Sequence, residues 1–149
     1  MAFSFYGFKI SESEIIKKMK PLKSFGSRTI DLADAAKEFN FLPTVLSFSK
    51  KKSKGKAIIK KPSRFDLQKY LSRNLPVIIP VRKYLLNDQK PSKTGHFILL
   101  TAYKDGIYWY NDPESGKTET IDEDSLLLAW FPHSIDSSAY LLFIYPKKP

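Results

Sequence analysis

The chain has 149 residues, 42% of them hydrophobic, with 11 Phe, 8 Tyr and 2 Trp and a formal net charge of +10. A chain of this size and composition buries its own core and does not stay disordered; one domain is the expectation. It holds no Cys and 2 His, which excludes a disulfide framework, a Cys-ligated zinc site, thiol chemistry within these residues and a His-rich metal site.

In chain order, Ser11-Glu12-Ser13-Glu14 reads as a capping box. Ile15, Ile16 and Met19 follow as an apolar face, and Pro21 stops the helix. Residues 22–28 read as a Gly/Ser loop. A second helix starts near Thr29 or Asp31, takes its period from Leu32, Ala35, Ala36 and Phe39, and ends at Asn40. Phe41 to Phe48 reads as a strand, and 49–62 as an exposed, lysine-rich excursion with Ala57-Ile58-Ile59 in a hairpin. Ser63 caps a third helix with Leu67, Tyr70 and Leu71 on one face, ending at Asn74. Val77 to Val81 is a buried strand, and Pro80 places part of it near an edge. Residues 83–95 read as a polar loop. His96–Tyr103 and Ile107–Tyr110 flank Lys104-Asp105-Gly106, a hairpin signal. A turn at 112–116, a strand over Thr118–Ile121, a helix capped by Asp122 and running through Leu126, Leu127 and Trp130, and a last strand over Ala139–Tyr145 complete the chain. Helices first and hairpin-connected strands later argue an α+β fold, with helices packed on a largely antiparallel sheet.

Charge is uneven. Residues 1–93 carry 21 basic and 7 acidic side chains, whereas 94–149 carry 4 and 8. Lys50, Lys51, Lys52, Lys54, Lys56, Lys60 and Lys61 form the densest cluster. A polyanion-binding patch is one reading. A solvated loop is the stronger one, because the cluster lacks Arg for planar phosphate recognition and interleaved aromatic residues for base stacking.

One constellation carries chemistry. His96 opens a strand and Asp112 follows the next, with the turn near Asp105-Gly106 between them. Equal hairpin arms bring their open ends together, so the two residues are expected side by side at the sheet's edge. A carboxylate holding one ring nitrogen leaves the other to act as general base. Taken singly, His96 also reads as a satisfied strand-end histidine and Asp112 as a turn former. His133 reads as an exposed loop residue. Trp109 and Trp130 read as core or pocket wall.

The order and spacing of several phrases resemble the bacteriocin-processing, double-glycine-leader peptidases, a papain-like cysteine peptidase family, and the degenerate domains of that family. Met1-Ala2-Phe3-Ser4-Phe5-Tyr6-Gly7 is similar to the end of the family's nucleophile helix, and Ile10 to Glu14 to the next helix start. Leu32–Phe41 and Leu67–Val81 are similar to later helix and strand segments. Gly95-His96-Phe97, Asn111 to Gly116 and the helix ending at Trp130 also fit. The resemblance implies a single papain-like domain over 1–149 with its nucleophile helix truncated. It makes His96 the general base and Asp112 its orienter. The family's cysteine and oxyanion glutamine would lie ahead of Met1. Gln68 and Gln89 sit in the wrong segments to substitute.

Without the thiolate and aimed oxyanion donors, several kcal/mol of transition-state stabilisation are lost, so no peptidase activity is expected from residues 1–149. The expected function is peptide or protein binding in the ancestral cleft, with Gly95, Trp109, Tyr110 and Asn111 at the ligand. The alternatives are a genuine cysteine peptidase whose Cys helix lies upstream or on another chain, and a polyanion-binding module. Nucleic acid ranks below peptide as a partner. No cofactor and no metal are expected. Apolar sheet surface left by the truncated helix is expected to be covered by Met1–Tyr6, chiefly Phe3 and Phe5, or by another chain. No apolar run spans a membrane and no signal peptide is visible, so the cytoplasm is the expected location.

Overall fold

The computed structural model describes residues 1–19, 26–86, 90–91 and 95–147. Pro21 and Gln89 lie outside the described residues. The first elements are α1 (Ala2–Phe5), α2 (Glu12–Lys18) and α3 (Thr29–Glu38). The hydroxyl of Ser11 accepts from Glu14 N–H, and the Glu14 carboxylate accepts from Ser11 N–H, so the capping box closes in both directions. Ile30, Ala33 and Ala36 of α3 are buried, and Asn40 leaves the helix at φ 61°, a left-handed turn that Asn tolerates better than most residues.

β1 (Phe41–Ser47) follows, then a lysine-rich turn and β2 (Ile58–Ile59). Here the hairpin expectation fails. β2 pairs parallel with β1, Leu46 opposite Ile58 and Ser47 opposite Ile59. A parallel return needs a crossover, and residues 48–57 supply it. α4 (Arg64–Leu71), capped by Ser63, buries Leu67 and Leu71. β3 (Val77–Arg82) runs directly into a short helix, α5 (Lys83–Leu86), within the segment expected to be a polar loop. Leu85 and Leu86 pack against the core, which is why that segment folds back instead of hanging in solvent. Next come β4 (Gly95–Lys104), β5 (Ile107–Asn111), β6 (Thr118–Asp122), α6 (Glu123–Asp136) and β7 (Leu141–Pro146).

The seven strands form one sheet in the order β2-β1-β7-β3-β4-β5-β6, antiparallel except at β1/β2. Only β4, β5 and β6 are successive hairpin neighbours. The last strand lies between β1 and β3, an insertion that local sequence does not signal. Pro80 lies beyond the last β3–β7 pair, at Ile78 and Leu142, where β3 is flanked by β4 (Phe97). Its missing donor is tolerated there because that stretch has a ladder on one side.

Strand alternation splits the apolar residues between two faces. One face carries Val77, Ile79, Val81, Leu141 and Phe143 against Leu67, Leu126 and Trp130 of α4 and α6. The other carries Val45, Leu142 and Ile144 against α1 and α3. Phe3 of α1 is buried edge-on against Phe39 and Phe41. Phe5, also expected to cover the sheet, is 36% exposed; four residues of helix turn only one of the two rings inward.

Candidate active site

The β4–β5 hairpin turns through Asp105 (φ 49°) and Gly106 (φ 80°), two left-handed residues whose twist matches the strands. Its arms are not equal. A bulge lies between Leu100 and Ala102, and the ladder closes with Leu99 opposite Asn111. His96 therefore stands three residues beyond the last pair and Asp112 one. Continued unbroken from Lys104 opposite Ile107, the ladder would leave the two residues about three positions out of register; the extra residue at Thr101 trims that offset by one, and the pair lies between β3 and β6 instead of at the sheet's edge. The side chains meet across this offset: His96 Nε2 is 2.8 Å from Asp112 Oδ1.

Asp112 is held from all sides of its turn. Its N–H donates to Lys117 O, its carbonyl accepts from Gly116 N–H, and Oδ1 also accepts from Glu114 N–H at 2.8 Å. An ion pair between Lys83 and Glu114 ties this turn to α5. The carboxylate is 5% exposed and the imidazole 13%. A carboxylate only accepts, so the contact is made by a His96 Nε2–H and leaves Nδ1 on the far side of the ring. That nitrogen has no hydrogen-bond partner among the described residues, and His96 lines a groove of about 470 Å³.

The groove's other walls include Arg28, Lys52, Gly95 and His133. His133 is not an exposed loop residue. It continues the inward face of α6 after Leu126 and Trp130, a four-then-three spacing legible in the sequence but interrupted by Pro132. Pro132 stays inside the helix; Leu128, the residue whose carbonyl loses its donor, is exposed to water. His133 sits so close to Gly95 that a Cβ on Gly95 would lie 2.4 Å from His133 Nε2. Its Nδ1 is buried without a partner among the described residues. Burial and the nearby Arg82 push its pKa below the ordinary value, and Asp136 opposes them.

Of the four residues expected at the ligand, Gly95 lines this groove and the other three do not. Tyr110 faces the core on the alternate side of β5, where its hydroxyl donates to Glu119 and burial raises its pKa. Asn111 accepts from the Thr118 hydroxyl. Trp109 lies between Ala102 and Thr120 in the ladder. The lysine cluster is also divided: Lys52 pairs with Asp136, Lys56 with Asp34 and Lys60 with Asp66. Lys50, Lys51, Lys54 and Lys61 are exposed. Gln68 donates to Glu123, away from His96.

A second groove, about 280 Å³ and apolar, opens on the α1–α3 side of the sheet. Met1, Phe3, Ile78, Phe97 and Pro113 are among its walls. Phe97 lines both grooves, and Phe97 and Pro113 are the chain neighbours of His96 and Asp112. Among the described residues no cluster of three or more His, Asp or Glu is placed to hold a metal, and no helix is long and apolar enough to cross a membrane.

A mixed fold with a mostly antiparallel sheet and an imidazole–carboxylate couple at adjoining strand ends defines a papain-like, peptidase-like domain. The solved peptidase domain of Streptococcus ComA, a bi-functional ABC transporter involved in a quorum sensing pathway, has this fold. It superposes with a TM-score of 0.65 at 16% identity, covering 97% of this chain and 84% of that one. The profile of the Peptidase_C39 like family matches residues 1–132. The chain belongs to that family, a bacteriocin-processing-peptidase-like group. No curated protein matches it.

Proposed function

We propose that this domain binds an extended peptide or protein segment in the groove beside His96 and does not cleave it. The observation that carries this reading is the His96–Asp112 couple, 2.8 Å apart, facing a groove in a chain of 149 residues without one cysteine. In this reading Asp112 orients the imidazole and His96 Nδ1 is offered to a ligand group. Acyl transfer in this family needs a thiolate as well as a base, and these 149 residues hold no cysteine to provide one. In this reading the domain works in the cytoplasm, with a peptide segment as its principal partner. The test is to titrate the labelled protein with a pool of extended peptides and follow amide shifts at Gly95, His96 and Phe97, with mass spectrometry of the same samples. Shifts at these residues with intact peptides support the reading. Cleaved peptides, or shifts absent from these residues, overturn it.

One observation favours a second reading, a peptidase completed by a cysteine helix that precedes Met1 or comes from another chain. The apolar groove runs from Met1 to Phe97 and Pro113, so a helix seated in it would end against His96 and Asp112. The reading frame ahead of Met1 tests this. An in-frame helix bearing Gln and Cys, whose fusion restores iodoacetamide-sensitive hydrolysis, would establish it; fusion without hydrolysis would remove it.

A further inference from the structure

We propose that the groove beside His96 recognises a carboxylate carried by the bound peptide; this rests on the peptide-binding reading and names the ligand's chemistry. Three cations surround the groove. Arg28 and Lys52 line it, and Arg82 reaches its rim through Asp136. Two carboxylates face them. Asp31 clasps Arg28 through Nε and Nη2, both at 2.8 Å. Asp136 is shared between Lys52, at 3.6 Å, and Arg82, at 3.0 Å.

The two lining cations are prepared differently. The Asp31 clasp fixes the Arg28 guanidinium in one plane and leaves Nη1 without a partner among the described residues, so a planar oxyanion meets a donor that needs no reorganisation. Lys52 donates to the carbonyl of Ile135 and lies at the edge of hydrogen-bond reach of Asp136, with its side chain 43% exposed. Such a loose pair exchanges its partner at little cost. Asp136 is 58% exposed and its charge is already shared by two cations, so it does not close the groove to an anion. His96 and His133 add ring edges to the same wall. Gly95, with no side chain, lets the His133 ring pack directly against the backbone.

The test uses three fluorescein-labelled neutral octapeptide pools: free C-terminal acids, C-terminal amides, and amides with one internal glutamate. Anisotropy gives their affinities, and amide shifts at Gly95–Phe97 confirm the place of binding. Acid-bearing pools are expected to bind roughly tenfold tighter than plain amides, the gain of one charge-assisted contact. Lys52→Met is expected to shrink that gap about threefold, whereas Lys54→Met, on the exposed turn, leaves it unchanged. A gain confined to the free acids assigns the terminal carboxylate, and one confined to the glutamate pool assigns a side chain; either supports the proposal. Equal affinity for acids and plain amides, with shifts at the groove, overturns the carboxylate and leaves peptide binding standing. A gain that Lys52→Met and Lys54→Met reduce alike also overturns it, since net charge then explains the effect. No shifts from any pool overturn both.

Discussion

Asp112 Oδ1 accepts from an imidazole and from the Glu114 N–H at once. Removing it strands two donors in a site that water scarcely reaches. Asp112→Ala is expected to cost about 1–3 kcal/mol in urea unfolding, and Asp112→Asn less, because an amide oxygen in the place of Oδ1 still accepts both bonds, only without the carboxylate's charge. Gly95 poses a steric question. A methyl group there meets His133 Nε2 well inside contact distance, so Gly95→Ala is expected to destabilise the protein. In a His133→Ala background the penalty shrinks, and a double-mutant cycle measures the coupling. His133 also sets a pH dependence. Its imidazole, buried near Arg82, binds a proton less readily in the fold than in the open chain. The unfolded state then holds the extra proton as pH drops below about 6.5, so stability declines on that side and is full above it. His133→Gln is expected to flatten this part of the stability profile in melts recorded across that range.

Among the elements, α1 isolates what a single turn of helix contributes. Phe3 fills space between Phe39 and Phe41, while Phe5 rests edge-on against Tyr6. Phe3→Ala is expected to cost about 3 kcal/mol and Phe5→Ala within about 0.5 kcal/mol, read from chemical denaturation. Elements of this kind divide by how local their signals are. The α2 capping box, the Asn40 exit from α3, the Asp-Gly hairpin and the Asp122 cap were legible because each is settled within a few residues. The His96–Asp112 meeting was legible from hairpin geometry, though not the unequal arms or the bulge that trims their offset. β2 and α5 were not, because their states depend on partners distant in sequence: β1 for the first, the core under Leu85 and Leu86 for the second. His133 was hidden by Pro132, which reads as a helix stop and is carried by the packing of Trp130, whose indole N–H donates to Tyr140 O. Tyr110 and Asn111 were misplaced because nearness to Asp112 in sequence says nothing of which face of β5 a side chain takes.

For the whole molecule, the seven strands make two blocks, β2-β1 and β3-β4-β5-β6, that meet only through β7. Leu142 of β7 faces Val45 on one side and Ile78 on the other and is fully buried. A protein cut after Ser138 is expected to lose its cooperative thermal transition, followed by circular dichroism, even though every residue lining the groove beside His96 is retained. Its α+β class followed from the run of element types. The order of strands did not, since pairing between residues a hundred positions apart leaves no mark in a window of ten.

That placement has a consequence for biosynthesis. As the polypeptide leaves the ribosome, the imidazole, its carboxylate and most of both cores emerge well before the segment that joins them. The nascent domain must wait, with two unfinished margins open to mispairing, until Leu141–Pro146 slides between them and zips the halves shut.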